Sequence, residues 1–336
     1  MLPPALRDAL ERLGESRDRN PASPSLHDIL ASISELPPGR VTQAGREIAN
    51  AAELWPYEVV KPWIGRPRSR PRPDRELLEK NADFAWLFLF HHSGFVREPA
   101  LNAIRVPPVS PFFLSAIILR LNDWVEPVRV AATQCAMRVF PNVRAEIAAD
   151  LALHFLHYYW TWGRWQGGER AILDGLFGRA DVIARLADRL IEGATGALAT
   201  CLRHALRYPA VDKYLPFLAS NARQPSVRAT ALQCLVSRKV SWPIGYRYQW
   251  LDKIYGVQKL VLVVDDREIS TEISVEQFIR DGLMDRSAMV RRVAVDALIA
   301  NRRTFPNVDV VVTSLLCDRS PSIRERAHFL VRHRND

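Results

Sequence analysis

Basic side chains are concentrated in one proline-rich stretch, residues 61–75, which reads KPWIGRPRSRPRPDR. Its six Lys and Arg and its single Asp give it +5 of the formal net charge of +9. Because proline cannot continue a helix, an extended connector is predicted over 57–74. Positive charge on an extended segment suits contact with phosphates. If nucleic acid binds, the expected contacts are Arg66, Arg68, Arg70 and Arg72; the alternative is a solvated linker lying on acidic neighbours.

Two aromatic stretches are the other candidates for binding. Residues 154–165 read HFLHYYWTWGRW, and residues 242–250 read WPIGYRYQW. Aromatic rings interleaved with Arg can stack on nucleobases or act as hot spots for a protein partner. For the first stretch a core role stays open, because its rings also follow helical spacing. The residues expected to bind a partner are Trp162, Arg164, Trp165, Tyr246, Arg247 and Tyr248.

A repeated pattern predicts the elements that position these residues. Five segments place Val or Ile before Arg and continue into Ala-rich sequence. The four spacings between successive arginines correspond to one, three, two and one periods of roughly 33 residues. A period of this length predicts stacked helix pairs. Two repeat units between Arg129 and Arg228, and one between Arg228 and Arg291, are then expected to lack the signature. The five arginines are Arg97, Arg129, Arg228, Arg291 and Arg324.

An Asp precedes several of these arginines by six to seven residues, and with it residues 84–336 resemble HEAT repeats. The resemblance implies an all-α fold, a right-handed α-solenoid of about seven to eight helix pairs, which we assign to 75–336. It also implies a structural ladder in which each Arg pairs with an Asp of a neighbouring repeat. The ladder aspartates are expected to be Asp123, Asp285 and Asp318.

The same fold occurs in one class of alkylpurine DNA glycosylases, whose concave face offers Trp, Asp and Arg to an alkylated base. By residue type, Asp123 and Trp124 with Arg129, or Asp296, would be the counterparts here, but no motif fixes these positions. Phosphate loops, nucleophile elbows and paired metal-ligand motifs are all missing from the sequence. No cofactor is therefore expected, and an enzyme is the less favoured class.

Histidines and cysteines do not predict a metal site. His154 and His157 lie three residues apart with no third ligand near them in sequence. Cys135 and Cys234 each follow a repeated Arg by six residues, which predicts one shared core position. With no disulfide or ligand spacing among the four cysteines, a reduced, cytoplasmic protein is expected.

Other segments predict the ends and the interruptions of the array. Three helices are expected in an N-terminal segment 1–56, at about 4–17, 25–35 and 42–55. Residues 259–264 (KLVLVV), Asp265-Asp266 and residues 267–273 (REISTEI) predict a strand, a tight turn and a second strand. A short loop between helices is the alternative. Interruptions of a repeat tend to lie on a surface that binds.

Composition limits the function classes. The chain has 336 residues, of which 48% are hydrophobic. It has no apolar run long enough to span a membrane and no secretory signal at its start, so no membrane association is expected. Outside the basic stretch, the rest of the chain carries only +4, and surfaces that bind phosphates are usually far more basic. The expected function is thus a non-enzymatic scaffold for another protein; the alternative is a nucleic-acid-binding solenoid related to the glycosylases.

Overall fold

The computed structural model describes residues 1–16, 25–60, 68–157, 168–270 and 274–333, with the backbone alone for 58–60 and 68–71. These residues are mostly helical, with eighteen α-helices and two small antiparallel sheets, so the predicted all-α class fits. They separate into two compact units, the first ending near Val182 and the second beginning near Ile183. No helix in the described ranges is long and apolar enough to cross a membrane.

Unit 1 begins with three helices close to their predicted positions. Its helices are α1 (Pro4–Ser16), α2 (Leu26–Ser34), α3 (Val41–Ala51), α4 (Asp74–Lys80), α5 (Phe84–Phe88), α6 (Gly94–Ala103), α7 (Pro111–Leu121), α8 (Glu126–Val139), α9 (Ala145–Phe155) and α10 (Gly168–Phe177). Helices α6, α8 and α10 contact one another in succession, and α2, α3, α8 and α9 all pack on α7. Each helix therefore shares its apolar face with neighbours on more than one side.

Helix α7 is the centre of this packing. Residues 112–118 along it are all buried, including Phe112 and Ile117. Ser110 caps its start by accepting a hydrogen bond from the N–H of Phe113, and Pro111 occupies the first turn, where no N–H is needed. A helix that is apolar on all sides is expected at the inside of a helical stack.

The basic connector contains paired strands. Strand β1 (Tyr57–Val60) runs antiparallel to β2 (Arg68–Pro71), with Tyr57 opposite Pro71 and Val60 opposite Arg68. The backbone is extended there, as the prolines predict, but strand pairing was not foreseen. Residues 61–67, between the two strands, lie outside the described residues.

In unit 2 a short helix precedes a longer one at α13–α14, α15–α16 and α17–α18. Its helices are α11 (Ala180–Glu192, which begins in unit 1), α12 (Leu198–Ala205), α13 (Leu215–Asn221), α14 (Pro225–Ser237), α15 (Val275–Leu283), α16 (Ala288–Ala300), α17 (Val308–Leu315) and α18 (Pro321–Arg332). Helices α12, α14, α16 and α18 contact one another in succession. Gly282 lets α15 pack closely against α14 and α16, because a Cβ at this position would lie 2.6 Å from the side chain of Leu232 and 2.9 Å from that of Ala294.

A long β-hairpin joins α14 to α15. Strand β3 (Lys239–Asp252) pairs antiparallel with β4 (Val257–Glu268). The turn between them is closed by Asp252, whose Oδ1 accepts the N–H groups of Ile254 and Tyr255 at 2.8 and 3.1 Å, and by Gly256 at φ +67°. The left-handed conformation at Gly256 suits a residue without a side chain.

The predicted hairpin over 259–273 was wrong in register. Asp265 and Asp266 are not a turn; they lie within β4, opposite Trp242 and Ser241. Both carboxylates are exposed, so a strand accommodates them, and Asp266 pairs with Lys239 at 2.7 Å. Residues 271–273 lie outside the described residues. The aromatic stretch 242–250, assigned from the sequence to a helical unit, supplies the partner strand instead.

This hairpin explains one anomalous spacing in the repeat. From Arg97 to its aspartate, Asp123, is 26 residues, and from Arg291 to Asp318 is 27, whereas Arg228 lies 57 residues before Asp285. When the hairpin, Lys239–Glu268, is left out, the spacing from Arg228 to Asp285 becomes equal to the spacing from Arg291 to Asp318. The degenerate unit predicted between Arg228 and Arg291 is therefore wrong: the extra residues are an insertion between two helix pairs, α13–α14 and α15–α16.

Three of the four cysteines are buried, and we expect their thiols to be inert. Burial raises the pKa of Cys135 to about 11 and the pKa values of Cys201 and Cys234 to about 12, whereas Cys317 is exposed. Only thiolates react with alkylating reagents. Iodoacetamide at neutral pH should therefore modify Cys317 alone in the native protein and all four after denaturation. Fast native labelling of Cys135 would contradict this packing, and mass spectrometry distinguishes the outcomes.

Candidate partner-binding site

Three of the repeated arginines make paired hydrogen bonds with an aspartate further along the chain. In each pair Nε and Nη2 of the arginine donate to the two carboxylate oxygens over 2.7–3.0 Å. One oxygen of each aspartate also accepts the N–H two residues later, at 2.7–3.1 Å. Two-point pairing of this kind fixes orientation as well as distance. The pairs are Arg97–Asp123, Arg228–Asp285 and Arg291–Asp318.

All five arginines share a second contact. Nη1 of each donates to the carbonyl oxygen six residues earlier, in the turn that precedes its own helix. Within the described residues, Arg129 and Arg324 make only such carbonyl contacts. The ladder side chains thus hold turns and helix starts together, and this role leaves their guanidinium groups little capacity for a substrate.

Acid should destabilise the protein because these carboxylates are ionised in the fold. Burial pulls the pKa of Asp285 upward, but the hydrogen bonds from Arg228 outweigh it and the net shift is downward; the pKa of Asp318 is lowered chiefly by Arg291. A carboxyl with a depressed folded pKa stabilises above its unfolded pKa, about 3.9, and that stability is lost as pH falls through the folded value. The others of this kind are Asp123 and Asp212.

We therefore expect the melting temperature to stay nearly constant from pH 7 to about 5 and to fall steeply below about 4. Thermal unfolding followed by circular dichroism over a pH series measures this. A melting temperature that does not change down to pH 3 would mean that these aspartates are not held ionised by their arginines.

The basic residues of the connector are placed unevenly. Arg66 lies outside the described residues, and only the strand backbone is described at Arg68 and Arg70. Arg72 is described, and its side chain is 6% exposed and ion-paired with Glu53. The charge of Arg72 is thus already compensated within the fold, which disfavours a contact with phosphate; that contact stays a prediction.

The residues named as glycosylase counterparts are engaged in the structure. Asp123 accepts four hydrogen bonds, from Arg97 twice, from Nη1 of Arg120 and from the N–H of Val125. Asp296 is ion-paired with Arg326. A carboxylate covered by two guanidinium groups is a weak base and is not poised to take a proton.

Of the six predicted partner-binding residues, three are exposed together on the β3–β4 hairpin. Tyr246, Arg247 and Tyr248 all lie on β3 and are largely solvent-exposed. Trp162, Arg164 and Trp165 lie outside the described residues. The sequence therefore led to a continuous exposed segment, although its strand conformation was missed.

One face of the hairpin presents a row of exposed apolar and aromatic side chains, bordered on the same face by Gln258 and Asp266. Residues directly opposite in an antiparallel pair share a face, and the side alternates along each strand. Tyr246 lies opposite Leu262 and Tyr248 opposite Leu260, while Trp250 and Val264 extend the same face at spacing two. These six side chains are 43–70% exposed, so the face is open to solvent. We call Tyr246, Tyr248, Trp250, Leu260, Leu262 and Val264 the apolar hairpin face.

The opposite face mixes charged, polar and apolar side chains, and it includes Val261 and Val263, which lie opposite Arg247 and Gly245. Arg247 and Gln249 lie on it, with Gln249 opposite Lys259. Sequence reasoning missed Trp250, Leu260, Leu262 and Val264 as site residues. For Trp250 the signal was present in the alternation of YRYQW, whose two-residue periodicity places its aromatic rings on one face; LVLVV is apolar throughout and shows no such alternation.

The base of the hairpin is anchored to the helices of unit 2. Val240 is fully buried, and Arg267 makes a two-point ion pair with Asp212 at 2.7 and 2.6 Å. Asp212 also accepts the N–H and Oγ–H of Ser270, both at 3.0 Å. Since an isolated two-stranded hairpin is at best marginally stable in water, these contacts must hold its direction.

The hairpin is nearly neutral overall. Residues 239–268 contain five Lys or Arg and four Asp or Glu, a net charge of +1. Among the described residues, no group of three or more His, Cys, Asp or Glu could hold a metal ion. Comparison of the chain with protein-family models, with curated proteins and with solved structures found no match.

Proposed function

We propose that this protein is a non-enzymatic binding module, a cytoplasmic HEAT-like right-handed α-solenoid that docks another protein through the apolar hairpin face. The observation that supports this most is the exposure of six large apolar side chains on one face of an inserted hairpin. Contiguous apolar surface that stays exposed typically marks an interaction site. Tyr and Trp, which make up half of this face, dominate binding energy at protein interfaces.

Charge favours a protein over a nucleic acid as the partner of this face. A net charge of +1 over the whole hairpin supplies few phosphate contacts, and binding to nucleic acid depends on many. The second candidate is nucleic-acid binding through the basic connector, supported by the concentration of Arg in residues 61–75. A retardation assay with duplex DNA over a salt series separates the two. Tight, steeply salt-dependent binding at physiological salt would favour nucleic acid.

Capture and titration of the partner test the main proposal. Tagged full-length protein is used to capture partners from a lysate of its source organism, and the captured protein is purified for affinity measurement. Trp250→Ala should weaken that complex by about 2 kcal/mol, roughly thirtyfold, because a central aromatic contact is lost. Melting temperature should not change, since Trp250 is 49% exposed.

The matched control is Gln249→Ala, one residue away on the opposite face of the hairpin. It should leave the affinity within about twofold. Equal losses in both variants, or no loss in either, would exclude the apolar hairpin face as the docking surface.

A further inference from the structure

Unit 1 contains a cleft of about 580 Å³ that the proposed function does not use. It is formed by α3, by the loop after α5 and by the turn between α7 and α8. The side chains that matter for its chemistry are Arg46, His92, Arg97, Arg120, Asp123 and Trp124. Its volume lies within the range of small-molecule sites, about 300–1,000 Å³.

Positive charge in the cleft exceeds negative charge. Arg97 and Arg120 both donate to Asp123, so two guanidinium groups share one carboxylate. Arg97 is fully engaged, because its Nη1 donates to the carbonyls of His91 and His92. Arg120 is 16% exposed, and its Nε is buried without a hydrogen-bond partner in the described part of the chain. Burial, aided by Arg97, lowers the pKa of Arg120 to about 10.

Arg46 adds a third guanidinium from α3. It is exposed, and it makes no ion pair within the described residues. Three arginines and one aspartate leave a charge of about +2 in the lining. The buried carboxylate of Asp74 is hydrogen-bonded to Nε2 of His91 at 3.0 Å and does not line the cleft. Arg46 is exposed and Arg120 partly so, which leaves part of this positive charge accessible from the cleft.

Aromatic rings border the same space. Trp124 lines the cleft and is 81% exposed. Such exposure is unusual, because tryptophan side chains are highly buried on average. His92 stacks on Trp55 with ring centroids 3.7 Å apart and planes within 7°. Neither indole is used to fill the core, and an exposed ring beside a cationic cleft suits stacking with a flat ligand.

We propose that this cleft binds a small phosphate monoester that carries a planar ring, with the phosphate facing Arg46 and Arg120 and the ring lying against Trp124. A phosphate monoester carries a charge of about −1.5 to −2 near neutral pH, which matches the lining better than a single carboxylate does. Guanidinium groups are well suited to bind phosphate oxygens at two points. Nucleoside monophosphates belong to this class.

Titration calorimetry of the full chain with adenosine monophosphate, and separately with inorganic phosphate, tests the proposal. Saturable binding of adenosine monophosphate, at least about tenfold tighter than inorganic phosphate, is expected. Arg46→Gln should weaken it roughly tenfold or more, because a charge-assisted contact is lost. Trp124→Ala should reduce the affinity to that of inorganic phosphate.

Arg40→Gln is the matched control, because Arg40 is exposed, precedes the same helix and does not line the cleft. Its affinity should equal that of the unmodified protein. Equal affinities for the two ligands would overturn the ring contact. Failure to saturate at millimolar adenosine monophosphate, or equal losses in Arg40→Gln and Arg46→Gln, would overturn the site. The assay is independent of the hairpin, which belongs to unit 2.

Discussion

Replacing Asp285 with Ala should lower the free energy of unfolding by about 3–5 kcal/mol, the typical cost of leaving a buried charge without its partner. The Arg228 side chain is 3% exposed, so water cannot replace the lost carboxylate. What remains are two carbonyl contacts, to Ala222 and Arg223. Urea denaturation of the full chain measures the loss, and hydrogen exchange should localise it to α14–α16.

Two further variants show whether the loss comes from the unpaired charge. Arg228→Met together with Asp285→Ala removes both charges and should be less destabilising than Asp285→Ala alone. Asp188→Ala breaks an exposed pair with Arg185, in which both side chains are about half exposed, and should cost less than about 1 kcal/mol. A double variant as unstable as the single variant would mean that packing, not charge, is what Asp285 provides.

The ladder was predictable because repetition identifies it. An Arg that recurs in one phase, in three of five cases after an Asp in the turn, indicates a structural pairing even when no single motif is specific. The three aspartates named from the sequence each pair with one of the repeated arginines, Arg97, Arg228 and Arg291. The right hand of the solenoid and its continuity stay predictions.

The hairpin was misplaced because its length is close to the repeat period. An insertion of nearly one period resembles an additional helix pair, so the spacing from Arg228 to Arg291 fits either interpretation. Spacing alone cannot separate them, and composition was decisive only for β4. In β3, Pro243 and the extra residues at Ile244 and Leu251 disrupt the alternation that marks a strand.

Arg72 shows why charge in a sequence is a poor guide to a free site. It belongs to a run of basic residues, yet its partner, Glu53, lies 19 residues earlier at the end of α3. The cleft in unit 1 was missed for the same reason. Arg46 belongs to α3, whereas Arg120 and Trp124 lie at the end of α7 and in the turn after it, and only packing brings these two segments together.

Asp212→Ala should release the base of the hairpin. The Asp212 side chain is 1% exposed and accepts four hydrogen bonds, two from Arg267 and two from Ser270. Removing it leaves the Arg267 guanidinium with the carbonyl oxygens of Leu206 and Glu268, and a buried pair broken in this way costs about 3–5 kcal/mol.

The loss of stability in Asp212→Ala should be local as well as large. The ion pair of Asp212 with Arg267 holds the hairpin against unit 2, whereas the helices pack without it. Backbone amides of β3 and β4 should exchange with solvent much faster in Asp212→Ala, while those of α7 in unit 1 keep their protection. Lys239→Ala, which breaks the exposed pair with Asp266 in the same hairpin, should leave amide exchange unchanged and alter the free energy of unfolding by no more than about 1 kcal/mol.

Partner affinity should fall in Asp212→Ala although the apolar hairpin face is intact, since a face that is no longer held in place must be ordered on binding. Unchanged exchange in β3 and β4 would mean that Val240 and the helix contacts hold the hairpin without Asp212.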